Sequence, residues 1–312
     1  MADTATIAAP VPTVPGGRGT VGTTALTALA PLSWGTTYLV TTELLPAGHP
    51  TFAAVLRALP AGLIALALTR KLPSDSWWWK AGVLGTLNIG IFLPLLFVAA
   101  QRLPGGAAAT LGAVQPVVVA VLSVLVLRER WSVWRLSWGL IGAAGVGLVV
   151  LGPDAALDPV GIAAGLVGTV AMAVGVALTK LWGRPEGVGP VTLAGWQLTA
   201  GGLVMVPLAL MQGVPSGIDG SAVGGYVWLG LVGGLIAYTL WFRGIGRLPV
   251  TATALLVLLS PLMAAALGAT VLDESFTPVQ GVGFLLALTA LVAGQFQPTR
   301  RIHTAPGAVL LA

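Results

Sequence analysis

The sequence predicts an all-α integral membrane protein of ten transmembrane helices, arranged as two inverted five-helix repeats with both termini in the cytoplasm. Three observations predict it. Of the 312 residues, 56% are hydrophobic and only 8% are charged, against roughly 25% charged in an ordinary globular protein; so few ionisable side chains cannot cover a soluble surface. Nine uncharged stretches of at least 18 residues, at 19–42, 81–101, 103–127, 136–153, 159–179, 187–218, 220–242, 248–272 and 275–299, run through the chain, and a tenth, 44–69, is broken only by Arg57. Finally, residues 84–129 align on 229–274 at an offset of 145 without a gap, with 17 of 46 pairs identical, where chance in such a composition gives about five.

Each stretch is long enough to be a span, because about 20 apolar residues of helix cross a hydrocarbon core about 30 Å thick. The first is too long for a signal-peptide core and runs into Trp34-Gly35 instead of a small-residue cleavage site. It is therefore the first helix, preceded by a disordered tail over 1–21. Helix two carries Arg57. Trp77-Trp78-Trp79 opens the third span, and the fourth ends at Arg128-Glu129-Arg130. The long stretch 187–218 has a Gly/Pro/Ser-rich tail from Gly213 onward, so it reads as one helix plus a loop. A second tail follows over 298–312.

Basic residues set the orientation. With the N-terminus inside, 13 of the 15 Lys and Arg fall in cytoplasmic segments, only Arg102 lies outside, and Arg57 is within a span; this is the positive-inside pattern. Trp77, Trp78, Trp79, Trp131, Trp134 and Trp182 stand at predicted cytoplasmic helix ends, where indoles anchor at headgroup level. The net charge of +5 does not point to nucleic acid, since the basic residues are scattered among short loops.

The repeat includes Arg102-Leu103-Pro104/Arg247-Leu248-Pro249, Pro116/Pro261 and Glu129/Glu274, while the earlier helices align at an offset of 140, pairing Gly35 with Gly175, Arg57 with Gln197 and Gly62 with Gly202. The two units are 22–151 and 159–297. Five spans is an odd number, so the second unit enters the membrane upside down. The arginines flanking Glu129 are replaced by Asp273 and Ser275 around Glu274, as expected where one copy faces the cytoplasm and the other the outside. Inverted repeats mark secondary transporters, in which one unit read in two orientations yields inward- and outward-open states.

Trp34-Gly35-Thr36-Thr37 in helix one, Arg57 followed by an apolar run in helix two, and the paired Pro116…Glu129 and Pro261…Glu274 segments resemble the drug/metabolite transporter superfamily, EamA type, over about 22–297. The chain departs from the family pattern at Arg128 and Asp273, where Gly often precedes the terminal Glu, and at Val174-Gly175, where the second copy lacks Trp. The resemblance implies a plasma-membrane exporter of amino acids or small metabolites, and it does not name the substrate. A multidrug carrier of the same fold, a channel and a non-transporting membrane protein remain as alternatives.

No Asp or Glu lies within any predicted span, which argues against a proton relay on an embedded carboxylate. Arg57 is the only charge within a span. It is expected to snorkel outward, to be held by carbonyls or Asn/Gln side chains, or to bind a substrate carboxylate or phosphate. Trp34, Tyr38, Asn88, Gln115, Gln197, Tyr238 and Trp241 complete the candidate binding set, at related places in both units. Such groups also serve as helix–helix glue. Pro116 and Pro261 are candidate hinges, because each removes a backbone hydrogen bond. Glu129 and Glu274, at helix ends, are candidate gates or simple caps. With no Cys, two His and no H-E-x-x-H, the sequence offers no catalytic constellation. No cofactor or metal is expected. The lipid bilayer and a small-molecule substrate are the partners, with a homodimer left open.

Overall fold

The structure, a computed structural model, describes residues 17–103, 111–150, 158–271 and 277–296. These form ten helical segments: α1 Gly17–Glu43, α2 Pro50–Thr69, α3 Trp77–Arg102, α4 Gln115–Leu125, α5 Val133–Val150, α6 Pro159–Trp182, α7 Pro190–Gln212, α8 Gly220–Arg247, α9 Val250–Val271 and α10 Pro278–Gln295. Seven of them, α2, α3 and α6 to α10, are long and apolar enough to cross a membrane; Gln115–Leu125 and Val133–Val149 are apolar but shorter. α1 is 27 residues long and intersperses eight threonines among its apolar residues. Helices are the expected answer to hydrocarbon, since each satisfies its own backbone polar groups. Glu274, Asp273 and both predicted tails, apart from the start of α1, lie outside the described residues.

Several helix starts follow from local chemistry. α2, α6, α7 and α10 each carry Pro in the first turn, where its missing N–H costs nothing. Asp158 and Asp219 cap α6 and α8 by accepting from the N–H groups of Gly161 and Ala222, both at 2.8 Å. The Gly161 N–H, ahead of Arg102, holds the Asp158 carboxyl below its usual range. For Asp219 the Ser221 hydroxyl and then the Ala222 N–H do the same. Thr277 and Gln280 form a reciprocal capping box on α10.

Equivalent helices of the two units pack on each other. α2 lies against α7 and α5 against α10, and the α3–α6 contact is matched by α8 against α1. The first two pairings run antiparallel. Thr51 meets Gln212 at one end of α2–α7 and Trp196 meets the Lys71 carbonyl at the other; Gln280 meets the Val149 carbonyl at one end of α5–α10 and Trp134 meets the Ala293 carbonyl at the other. Small residues bring the backbones together. A side chain at Gly62 would meet Thr199 at 2.5 Å and one at Gly202 would meet Leu59 at 2.8 Å, and Leu59 and Thr199 are themselves equivalents at the offset of 140. Gly161 and Gly165 pack against Leu103 and Leu111, and Gly234 against the Arg57 carbonyl, the close-packing role small residues play in membrane helices.

The two units break helical regularity at the same places. α3 and α8 each contain a π-helical turn, at Thr86–Ile91 and Leu231–Ile236, related by the offset of 145. Around the two prolines, α4 begins at Gln115 after a turn at 113–114, and α9 tightens to a 3₁₀ turn at Leu256–Leu258 just before Pro261. Pro261 thus sits inside α9 just after the 3₁₀ turn, whereas Pro116 sits in the first turn of α4, where its missing N–H removes no helical bond, so the expected loss of a backbone hydrogen bond does not apply at Pro116.

The loop contacts sort by side. Lys71 donates to the Gly187 carbonyl, Lys180 to the carbonyls of Ile245 and Leu248, and Arg135 to the Thr251 hydroxyl. Lys80 lies 5.3, 5.8 and 6.0 Å from the ring centres of Trp77, Trp79 and Trp182. These residues share one end of the bundle. Arg102 meets Asp158 at the other, at 3.3 Å.

Candidate functional site

The centre of the bundle is organised by the Arg57 guanidinium, which is 1% exposed and therefore does not snorkel to the surface. Its Nη1 donates to Thr37 Oγ1 at 3.0 Å and its Nη2 to the Gly233 carbonyl at 3.3 Å. Its Nε has no partner among the described residues. The same Gly233 carbonyl accepts from the Trp34 indole at 3.0 Å. Gly233 belongs to the π-helical turn of α8, and such turns widen the helix locally and re-aim its carbonyls. It also lets the guanidinium lie flat on the backbone, since a Cβ there would touch Nη2 at 3.4 Å. Thr37 comes from the Trp-Gly-Thr-Thr run of α1. Motif and buried charge are one unit.

Arg57 opens onto a cleft lined also by Trp34, Tyr38, Gln115, Ser260 and Pro261, with apolar walls from Phe92, Leu96, Met172 and Val257. Gln115 is buried and its Nε2 lacks a partner among the described residues. No carboxylate lines the cleft among the described residues. Its free volume is about 50 Å³, room for a few waters and far below the few hundred Å³ of a metabolite site.

Tyr238 and Trp241 stand behind Trp34, not on the cleft. Their ring centres are each 5.2 Å from that of Trp34, and Tyr238 continues to Phe242 at 5.7 Å. They form the wall that fixes Trp34. Asn88 and Gln197 are elsewhere again: Asn88 Nδ2 donates to Gln197 Oε1 at 2.7 Å and to Thr179 Oγ1 at 3.3 Å. Asn88 is buried at the equivalent position to Gly233, and Gln197 at the equivalent position to Arg57. Of the eight candidate binding residues, four line the cleft, two support it and two make this second cluster, which the Tyr238 hydroxyl joins to the wall by donating to the Asn88 carbonyl at 3.5 Å. Trp196, next to Gln197, donates to the Lys71 carbonyl and packs on Trp77.

The Gly233 carbonyl and the cleft-lining Thr169, Met172 and Phe92 carry no signal in the sequence. A backbone acceptor has no letter code, and the other three are ordinary residues of an apolar helix until the fold gathers them. Glu129 follows α4, its N–H donating to the Ser123 carbonyl at 3.0 Å. Its neighbour Arg128 takes a left-handed backbone, φ 53°, the conformation glycine adopts without strain. That is the physical reason for a glycine before this Glu.

The sequence profile of the EamA-like transporter family matches residues 23–151 and 159–293. The chain belongs to the EamA-like transporter family. It is thus a multi-pass membrane protein of the drug/metabolite transporter superfamily. It is 42% identical over 267 residues, 85% of this chain and 90% of the relative, to Protein PecM of Dickeya dadantii. It is 28% identical to an uncharacterized transporter of Synechocystis, over 85% of this chain and 88% of that one, and 25% identical to a WAT1-related chloroplastic protein of Arabidopsis thaliana, over 84% and 67%. A crystal structure matches with a TM-score of 0.72 at 21% identity, over 88% of this chain and 98% of that one, which concerns the fold alone.

Proposed function

We propose that this EamA-family protein exports small solutes bearing a carboxylate or comparable anionic group, amino acids and related metabolites above all, across the plasma membrane by alternating access. Ten spans in two inverted units, with both termini cytoplasmic, form the carrier. The antiparallel packing of α2 on α7 and α5 on α10 supports inversion, because equivalent helices related by an axis in the membrane plane must run in opposite directions. The basic loops collected at one end support the orientation.

The observation that carries the substrate class is Arg57: a buried cation facing the cleft, held in place by neutral acceptors and, among the described residues, neutralised by no acid there and with Nε unpartnered. An anion entering the cleft supplies the missing charge, and the planar guanidinium can receive it in a bidentate fork. Gln115 offers an orphan amide donor, and Trp34 and Tyr38 pack the organic portion. Pro116 and Pro261 are the paired hinges about which the units rock, and Glu129 and Glu274 mark the helix ends that move.

The test is resistance of an expressing strain to toxic amino-acid and metabolite analogues, followed by saturable flux of the hits in proteoliposomes. Saturation separates a carrier from a channel. The apolar walls also suit a lipophilic solute, which gives a second reading, a multidrug carrier. Transport of a quaternary ammonium dye, undiminished in Arg57→Gln, decides for that reading and against the carboxylate site. Topology is checked independently: Asp75→Cys and Glu186→Cys should resist an impermeant maleimide added to intact cells.

A further inference from the structure

A second concavity lies at the end of the bundle where the basic loops meet. It is lined by Arg130, Arg135, Lys180 and Arg247 against a single acid, Glu129, and its free volume is about 610 Å³. Four cations and one carboxylate leave an excess of three positive charges. Among the described residues the one ion pair is Arg102–Asp158, at the other end, so no cation of this vestibule is committed to a carboxylate at bonding distance. Glu129 acts on Arg135 and Lys180 only through its field.

Two of the cations are held in position by neutral groups. Lys180 Nζ reaches the carbonyls of Ile245 and Leu248 at 2.9 and 2.8 Å, and Arg135 Nη1 reaches Thr251 Oγ1 at 3.0 Å while its buried Nε has no partner among the described residues. Arg130 and Arg247 are exposed at the mouth. A positive-inside loop needs only a count of charges. Here they converge on one cavity, with hydrogen-bonded cations at the base, exposed ones at the rim and a buried donor that has no partner among the described residues.

We infer that this vestibule is a binding site for phosphate- or carboxylate-bearing anions, distinct from the Arg57 cleft. Low-dielectric walls whose charge is predominantly of one sign focus the field into the cavity, and guanidinium groups suit oxyanions. The ligand is either a soluble anion or an anionic lipid headgroup, since basic pockets beside a membrane take both.

The chain has no native cysteine, so Thr20→Cys, on the vestibule wall, is a unique reporter in the full-length protein. Its modification by sulfonatoethyl and trimethylammonioethyl methanethiosulfonate is compared in phosphatidylcholine nanodiscs, each rate divided by that of a free thiol. A vestibule at several kT should favour the anionic reagent by at least about tenfold. Millimolar inorganic phosphate should slow that reaction saturably, and the double variant Arg130→Gln/Arg247→Gln, altering only exposed side chains, should lose both effects. Thr42→Cys, exposed at the opposite end beside Glu43, should show no anionic preference. If nanodiscs containing phosphatidylglycerol remove the phosphate effect, the headgroup is the occupant; if they preserve it, the ligand is soluble. Equal rates for the two reagents, or no protection by phosphate in phosphatidylcholine, overturns the site. Repeating the measurement in Arg57→Gln keeps it separable from the central cleft, because the vestibule should respond unchanged.

Discussion

Two equivalent places in the two units have taken opposite roles. In one, Arg57 of α2 meets Thr37 and the Gly233 carbonyl and faces a cleft. In the other, Gln197 of α7 meets Asn88, and Asn88 meets Thr179. Position 88 and position 233 each lie in a π-helical turn, so the backbone is alike in both. The side chains differ. Where glycine stands, a bare carbonyl and space remain for a guanidinium; where asparagine stands, its amide fills that space and closes on glutamine. Duplication supplied a symmetric frame, and asymmetry in four residues confines the charge to one side.

The strongest way to break this comparison is through Arg57. Arg57→Gln should lower flux of a carboxylate solute by about ten- to hundredfold, the worth of a hydrogen bond to a charged group. Arg57→Lys, which keeps the charge and loses the fork, should lose less. Gln197→Ala should change flux by less than about threefold while costing about 1–3 kcal/mol of stability, because the buried Asn88 amide loses a partner. Equal transport defects in both would mean that the two clusters share one role.

A double-mutant cycle sharpens the same point. Asn88→Leu strands Gln197 and should cost about 1–3 kcal/mol, whereas Asn88→Leu/Gln197→Leu removes both partners and should cost clearly less than the sum of the singles. Thermal unfolding in detergent reads the coupling. Additive losses would show that the amides act separately.

The prolines test whether the frame moves symmetrically. Pro116→Ala and Pro261→Ala should each alter the transport rate by about threefold, changing maximal rate and half-saturation together as hinge substitutions do. Unchanged kinetics in the double variant would remove the hinge role. The smallest expected effect is at Arg128, whose φ of 53° suits glycine: Arg128→Gly should raise stability by up to about 1 kcal/mol, read as a higher melting temperature with flux retained.

Much of the membrane architecture was legible because its signals are coarse and physical. Runs of apolar residues, Trp at helix ends and loop charge reflect the cost of polar groups in hydrocarbon, and they stand in the sequence whatever the packing. Arg57 was legible for the same reason, as the only charge in an apolar span. The sequence pairing of residue 57 with 197 also anticipated the structural pairing of their surroundings.

What only the tertiary structure decided was which polar residues meet. Asn88, Gln115 and Gln197 look alike in sequence, each an amide among the apolar residues of a helix; packing put Gln115 on the cleft and turned the other two on each other. Tyr238 and Trp241 became a wall behind Trp34 because α8 packs on α1. The acceptor that holds both Arg57 and Trp34 is a glycine carbonyl. Hydrophobicity and charge act on each segment separately and can be read along the chain, while a hydrogen bond needs two groups within about 3 Å, and that distance exists only once the helices are packed.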